Sequence, residues 1–221
     1  MIRFLAGGSS AGGIALLSGL FSRLCLACRR PSGSGTLCLA CREDPAWKGP
    51  ILSSVRGGIP VRSLFPDEGA PGRLFRVAKF SGNRRALEFL LDRWNLADLC
   101  PPGTSLLLPV PPQKSRLLRR DLSIPDILAH RLSDGKIPLC FDGVVRTGRT
   151  MQKGRSRQER RDVFFSPHFR IDPKVLSKAP TKSLVIVDDL LVTGWTARSI
   201  ARLLSFAGVE SRAIVTLLYR P

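Results

Sequence analysis

The chain has 221 residues, 43% of them hydrophobic and 24% charged. That is enough to bury one full core and a small module besides, and it reads as a globular chain without a membrane span. Lysine and arginine number 35 against 17 acidic residues, a formal charge of +18, which favours a polyanionic partner such as nucleic acid or an anionic membrane surface, the plain alternative being solubility.

Met1-Ile2-Arg3 and the Gly- and Leu-rich run to Phe21 resemble a signal peptide only faintly: there is a single arginine ahead of the run and no Ala-x-Ala site after it. Glycine and serine are too frequent there for a bilayer span. Residues 1 to about 14 are read as a ragged start and 14 to 24 as a short apolar helix, and the expected location is the cytoplasm.

Cys25-Leu26-Ala27-Cys28 and Cys38-Leu39-Ala40-Cys41 form two C-x2-C pairs joined through Pro31-Ser32-Gly33-Ser34-Gly35. Two intervening residues let each pair wrap one side of a tetrahedral ion, and four thiolates make a closed, structural site, with Zn²⁺ the expected ion. A redox pair or an iron–sulfur site is the alternative at this short separation. Cys100 and Cys140 are isolated and read as ordinary half-buried cysteines. Residues 1–50 are assigned to the apolar segment and this module, 51–72 to a Pro- and Gly-bearing linker, and 73–221 to a second domain.

Phe75-Arg76-Val77-Ala78-Lys79-Phe80 alternates as a strand does, Ser81-Gly82-Asn83 is a turn, and Leu87, Leu90, Leu91 and Trp94 mark one face of a helix. Lys79 beside the turn is a candidate contact for a pyrophosphate leaving group, or else a solvated strand-end lysine. Ser105 to Val110 is an apolar run broken by Pro109, Pro111 and Pro112. A basic loop with Arg116, Arg119 and Arg120 follows, placed either to fold over an anion or to lie in solvent, and Ser123 and Pro125 open a helix carrying Ile127, Leu128 and Leu132. Between Arg146 and Arg161 the chain is again strongly basic, with Arg149, Arg155 and Arg160 among the candidates for phosphate contact. Phe164, Phe165 and Phe169 come next and read as strand core in preference to a base-stacking platform.

Leu184-Val185-Ile186-Val187 has the character of a strand buried on both faces, as in parallel sheets. Asp188 and Asp189 follow, where open α/β sheets bind ligands. Val192-Thr193-Gly194-Trp195-Thr196 then leads into a segment with Ile200, Leu204 and Ala207 at helical spacing. Free amides at a helix start attract phosphate, Gly194 has no Cβ to block close approach, and the two threonines add hydroxyl donors. The diacid accepts hydrogen bonds from sugar hydroxyls, so a ribose bearing a 5′-phosphate satisfies both halves. The bland alternative is a buried strand ending in a capped turn.

This stretch resembles the phosphoribosyl pyrophosphate (PRPP) signature of type I phosphoribosyltransferases, with Val192 where a second threonine is usual and Trp195 where a small residue is usual. The whole set, Cys25 to Cys41, the Lys79 turn, Leu108-Pro109-Val110-Pro111 with its Arg-rich loop, Arg146 to Phe165 and the diacid loop, resembles the ComF family of competence proteins and its GntX-like relatives. The resemblance implies an α/β fold, a type I phosphoribosyltransferase-like parallel sheet flanked by helices, behind a small zinc-ribbon-like module. It further implies handling of incoming single-stranded DNA in natural transformation, PRPP as ligand, and a DNA-translocating helicase and recombination proteins as partners. The rival expectation is an active phosphoribosyltransferase using Mg²⁺ with PRPP, with Asp189 as general base and Lys79 assisting.

Overall fold

A computed structural model describes residues 24–33, 35–54, 58–112, 122–147, 165–166, 169–171 and 183–220. The expected N-terminal helix falls almost wholly outside these residues, and Arg116, Arg119, Arg120, Arg149, Arg155, Arg160, Arg161 and Phe164 lie outside them altogether.

The elements in chain order are helix α1 (Leu39–Arg42), a 3₁₀ turn (Pro45–Trp47), β1 (Ile51–Ser54), β2 (Pro60–Pro66), α2 (Gly69–Ser81), α3 (Arg84–Leu91), a second 3₁₀ turn (Leu96–Leu99), β3 (Leu106–Pro109), α4 (Ile124–Ser133), β4 (Val144–Arg146), β5 (Phe165–Ser166), β6 (Phe169–Ile171), β7 (Leu184–Leu191), α5 (Trp195–Phe206) and β8 (Ser211–Tyr219). The main sheet has the order β1-β2-β8-β7-β3, and β4-β6-β5 form a smaller antiparallel one. β2, β8, β7 and β3 run parallel, and β1 is an antiparallel edge on β2.

Parallel strands are connected by crossovers that lay helices on the sheet faces, so the central strands are buried on both sides. Leu184 to Val187 and Ala213 to Leu218 are buried accordingly. Leu107, Val185, Val187, Val215 and Leu217 face α2, α3 and α4. Leu106, Leu108, Ile186 and Ile214 face α5 together with Val144 of β4 and Phe169 and Ile171 of β6. Phe169 is therefore core, as the sequence suggested.

Two expectations are corrected. Residues 75–80 are not a strand but the second half of α2. The alternation over six residues is incidental, whereas Ala70, Leu74, Phe75 and Ala78, all buried, recur at helical spacing from five residues upstream. The helix stops where Gly82 takes φ 62°, the left-handed conformation that suits glycine, and Asn83 Oδ1 accepts from Ala86 N at 3.0 Å to start α3. The stretch 51–72 is not a free linker either, since it supplies β1 and β2 to the main sheet and the start of α2.

The cysteine segment is docked on this body. Cys25, Leu37 and Cys41 share one buried cluster with Leu64, Phe65 and Leu74. Trp47 meets Phe65 edge-on with ring centroids 5.2 Å apart, and its indole N–H donates to the Cys41 carbonyl at 2.7 Å. Among the described residues no helix is long and apolar enough to cross a membrane.

Candidate functional site

β7 carries Asp188 and Asp189 into the C-terminal end of the sheet, in line with a neighbour on each side: Val187 pairs with Pro109 of β3, and Asp188 with Thr216 of β8. Beyond Leu191 the chain turns through residues 192–194 into α5. Gly194 sits at φ 66°, a conformation that costs a side-chain-bearing residue about 1 kcal/mol or more. No side chain caps α5 from that position, so its first-turn amides are presented toward the turn. Thr193 Oγ1 accepts from Trp195 N at a long 3.4 Å, and Arg198 donates to the carbonyls of Thr193 (3.1 Å) and Gly194 (3.4 Å). Arg198, four residues beyond Gly194, thus fixes the turn from behind, a role that helical spacing alone announces.

Asp188, Val192, Thr193, Gly194, Trp195 and Thr196 line a cavity of about 150 Å³. Whole small-molecule sites run to ~300–1,000 Å³, so this one has room for an anionic group rather than for an entire nucleotide. Val192 and Trp195 are 44% and 58% exposed at its mouth.

The two carboxylates differ. Asp188 is 8% exposed, and its Oδ1 accepts from Asp189 N at 2.8 Å. Burial, and secondarily the charge of Asp189, push its pKa up to about 7 against the opposing effects of that amide, Lys79 and Arg146. Asp189 is partly exposed, and its Oδ2 lies 2.7 Å from Lys79 Nζ. Lys79 also stands over the Phe75 ring at 5.2 Å. Lys79, a candidate pyrophosphate contact or solvated strand-end lysine from the sequence, lies instead in the last turn of α2 and is paired with Asp189. Arg146, whose guanidinium stacks on Phe169 at 4.7 Å and donates to the Pro111 carbonyl, adds positive potential on Asp188.

The four cysteine sulfurs of Cys25, Cys28, Cys38 and Cys41 lie within 4.8 Å of one another, with Cys28 and Cys38 at 3.6 Å. A tetrahedral ion bound at about 2.3 Å holds its sulfurs ~3.8 Å apart, so the cluster fits a metal. Arg73 of α2 reaches Cys41 Sγ at 3.8 Å and Asp44 at 3.2 Å. Asp44 in turn accepts from Ala46 N (3.0 Å) and Ala70 N (2.8 Å). The module therefore supplies the cap of α2, whose own N-cap residue, Glu68, makes no such bond. Asp44 and Arg73 carry no sequence motif; only their place beside the cysteines and in the first turns of α2 gives them this role.

No family model matches the chain. It is 26% identical over 185 residues to an adenine phosphoribosyltransferase of Mesorhizobium japonicum, a match covering 80% of this chain and 86% of that one. Adenine phosphoribosyltransferases of Rhizobium johnstonii and Chelativorans sp. are each 28% identical, over 156 and 154 residues, covering 68% of this chain and 74% of theirs. The solved adenine phosphoribosyltransferase of Leishmania tarentolae aligns over 76% of this chain and 94% of its own with a TM-score of 0.41 and 13% identity.

Proposed function

We propose that the chain is a phosphoribosyltransferase that moves ribose 5-phosphate from PRPP to a ring nitrogen of a base, with adenine the first acceptor to try. The observation that carries this reading is the continuity of strand, diacid and turn: Asp188 lines the small cavity together with residues 190–196, and Asp189 follows it directly on β7, paired with Lys79. The 5′-phosphate belongs in that cavity, facing the amides at the start of α5. The ribose hydroxyls belong over the carboxylates, where Asp188, protonated below about pH 7, both donates and accepts.

In the reaction the bond from C1′ to the pyrophosphate oxygen breaks, a bond from C1′ to the base nitrogen forms, and that nitrogen loses its proton. Asp189, held by Lys79, is the group assigned to accept the proton and to offset positive charge developing at C1′. Asp189 is engaged by a lysine and Asp188 by an amide and burial, so the diacid makes no oxygen cage of its own. Mg²⁺ would be held mainly by pyrophosphate and sugar oxygens, neutralising the leaving group. Zn²⁺ is the ion assigned to the four thiolates, with a structural role.

The test is release of pyrophosphate from PRPP in the presence of adenine and then of other purines and pyrimidines. Release with at least one base, abolished in Asp189→Asn, is the expected outcome. Silence across the panel would sink the transferase reading.

The cysteine cluster and the +18 charge favour a second reading, a ComF-like protein that holds incoming single-stranded DNA in natural transformation alongside a translocating helicase and recombination proteins. It requires oligonucleotide binding that falls steeply with salt as phosphate contacts are screened. An oligonucleotide that fails to bind even at low salt would rule it out.

A further inference from the structure

A second cavity, of about 790 Å³, runs along the outer face of α5 and meets the turn pocket at Trp195. Its volume lies inside the ~300–1,000 Å³ range of small-molecule sites, which the turn pocket does not reach. Its walls have mixed chemistry. Trp195 offers an indole that is 58% exposed. Arg198 and Arg202 stand one helical turn apart, and Ser199, Ser205, Glu210 and Ser211 complete the polar lining. Among the described residues, neither guanidinium forms a salt bridge with a carboxylate. Arg202 instead lies over the Phe206 ring at 5.7 Å, and Arg198 bonds the turn carbonyls through Nε and Nη2.

We propose that this groove is a second ligand site, separate from the turn pocket, that takes a nucleoside 5′-phosphate. A flat aromatic wall suits a base, since stacking is tolerant of base identity. The Arg202 guanidinium suits a phosphate, which it binds by charge-assisted hydrogen bonds, and the charge of Arg198 one turn away adds to the attraction although its Nε and Nη2 serve the turn. Glu210 suits the remainder, accepting from a ribose hydroxyl or an exocyclic amine while disfavouring a bare inorganic anion. Ser199, Arg202, Glu210 and Ser211 belong to neither the diacid nor the turn, whereas Trp195 lines both cavities and Arg198 is bonded to the turn, so the test rests on Arg202 and Ser205.

The experiment is calorimetric titration of AMP into the full-length Asp189→Asn protein, which lacks the carboxylate assigned to the transfer reaction, and into the same protein with Arg202→Ala or Ser205→Trp added. Ser205 also lines the groove, and both added positions are exposed, so circular dichroism should show an unchanged fold. Saturable AMP binding is expected in Asp189→Asn, about tenfold weaker with Arg202→Ala and lost with Ser205→Trp. Inorganic phosphate, titrated in parallel, should bind much more weakly than AMP. The proposal is overturned by absence of AMP binding in Asp189→Asn, by AMP affinity indifferent to both groove substitutions, or by phosphate binding as tightly as AMP. It is equally overturned if Ser205→Trp only dissociates an oligomer, which would make the groove a subunit contact. A failure of pyrophosphate release leaves each of these outcomes readable.

Discussion

Lys79 Nζ stands 2.7 Å from Asp189 Oδ2, with the two side chains 17% and 18% exposed, so a helix on one side of the sheet holds the charge of a carboxylate at the end of a central strand. At this depth the pair is only weakly screened by solvent, and removing one partner strands the other charge beside Asp188.

Lys79→Met is accordingly expected to lower the unfolding free energy by about 2 kcal/mol, measured from the urea midpoint. Adding Asp189→Asn should recover part of that loss, because the stranded charge is removed with it. A midpoint unmoved by Lys79→Met would show that the pair contributes nothing.

The raised pKa of Asp188 has a definite sign. Its carboxyl holds a proton in the folded chain up to about pH 7 but loses it near 3.8 when unfolded. Between those values the native state binds more protons, so stability falls as pH rises, by at most about 1.4 kcal/mol per unit from this group, and levels off above pH 7. Asp188→Asn removes this slope. The check is the difference between wild-type and variant unfolding free energies from pH 4 to 8, and parallel profiles would contradict the assignment.

Asp44 caps α2 from outside it, accepting from Ala70 N while pairing with Arg73. Loss of a capping carboxylate costs ~0.5–2 kcal/mol, and Asp44→Ala should fall at the upper end because the Ala46 amide is orphaned too. Asp44→Asn keeps an acceptor and should be milder. Thermal denaturation of both variants decides, and equal losses would mean that charge rather than capping matters.

The sulfur cluster should bind one zinc ion per chain, measured by elemental analysis of the purified protein. Cys28→Ser should abolish stoichiometric zinc and lower the melting temperature, since the ion would otherwise hold together segments that share the core cluster of α2. Full zinc content in Cys28→Ser would place the metal elsewhere.

Features written in contiguous residues were legible from the amino-acid order. The apolar run of β7, the diacid, Thr193-Gly194 and the start of α5 follow one another along a single path, and two C-x2-C pairs a short turn apart need little beyond chain geometry to converge. The helix opening at Ser123-Pro125, the turn at Gly82-Asn83 and the burial of Phe169 were readable for the same reason. Folding alone decided what depends on pairing between distant segments. Six alternating residues could not show that 75–80 continue a helix begun at Gly69, and Arg62 and Ser63 hid a strand that only the parallel register with β8 brings into the sheet. The same docking turns Lys79 toward Asp189, places Asp44 over the start of α2, and buries Asp188 deeply enough to push its pKa up. Local order specifies which groups are present, but their partners and their dielectric surroundings arise only when separate segments exclude water together.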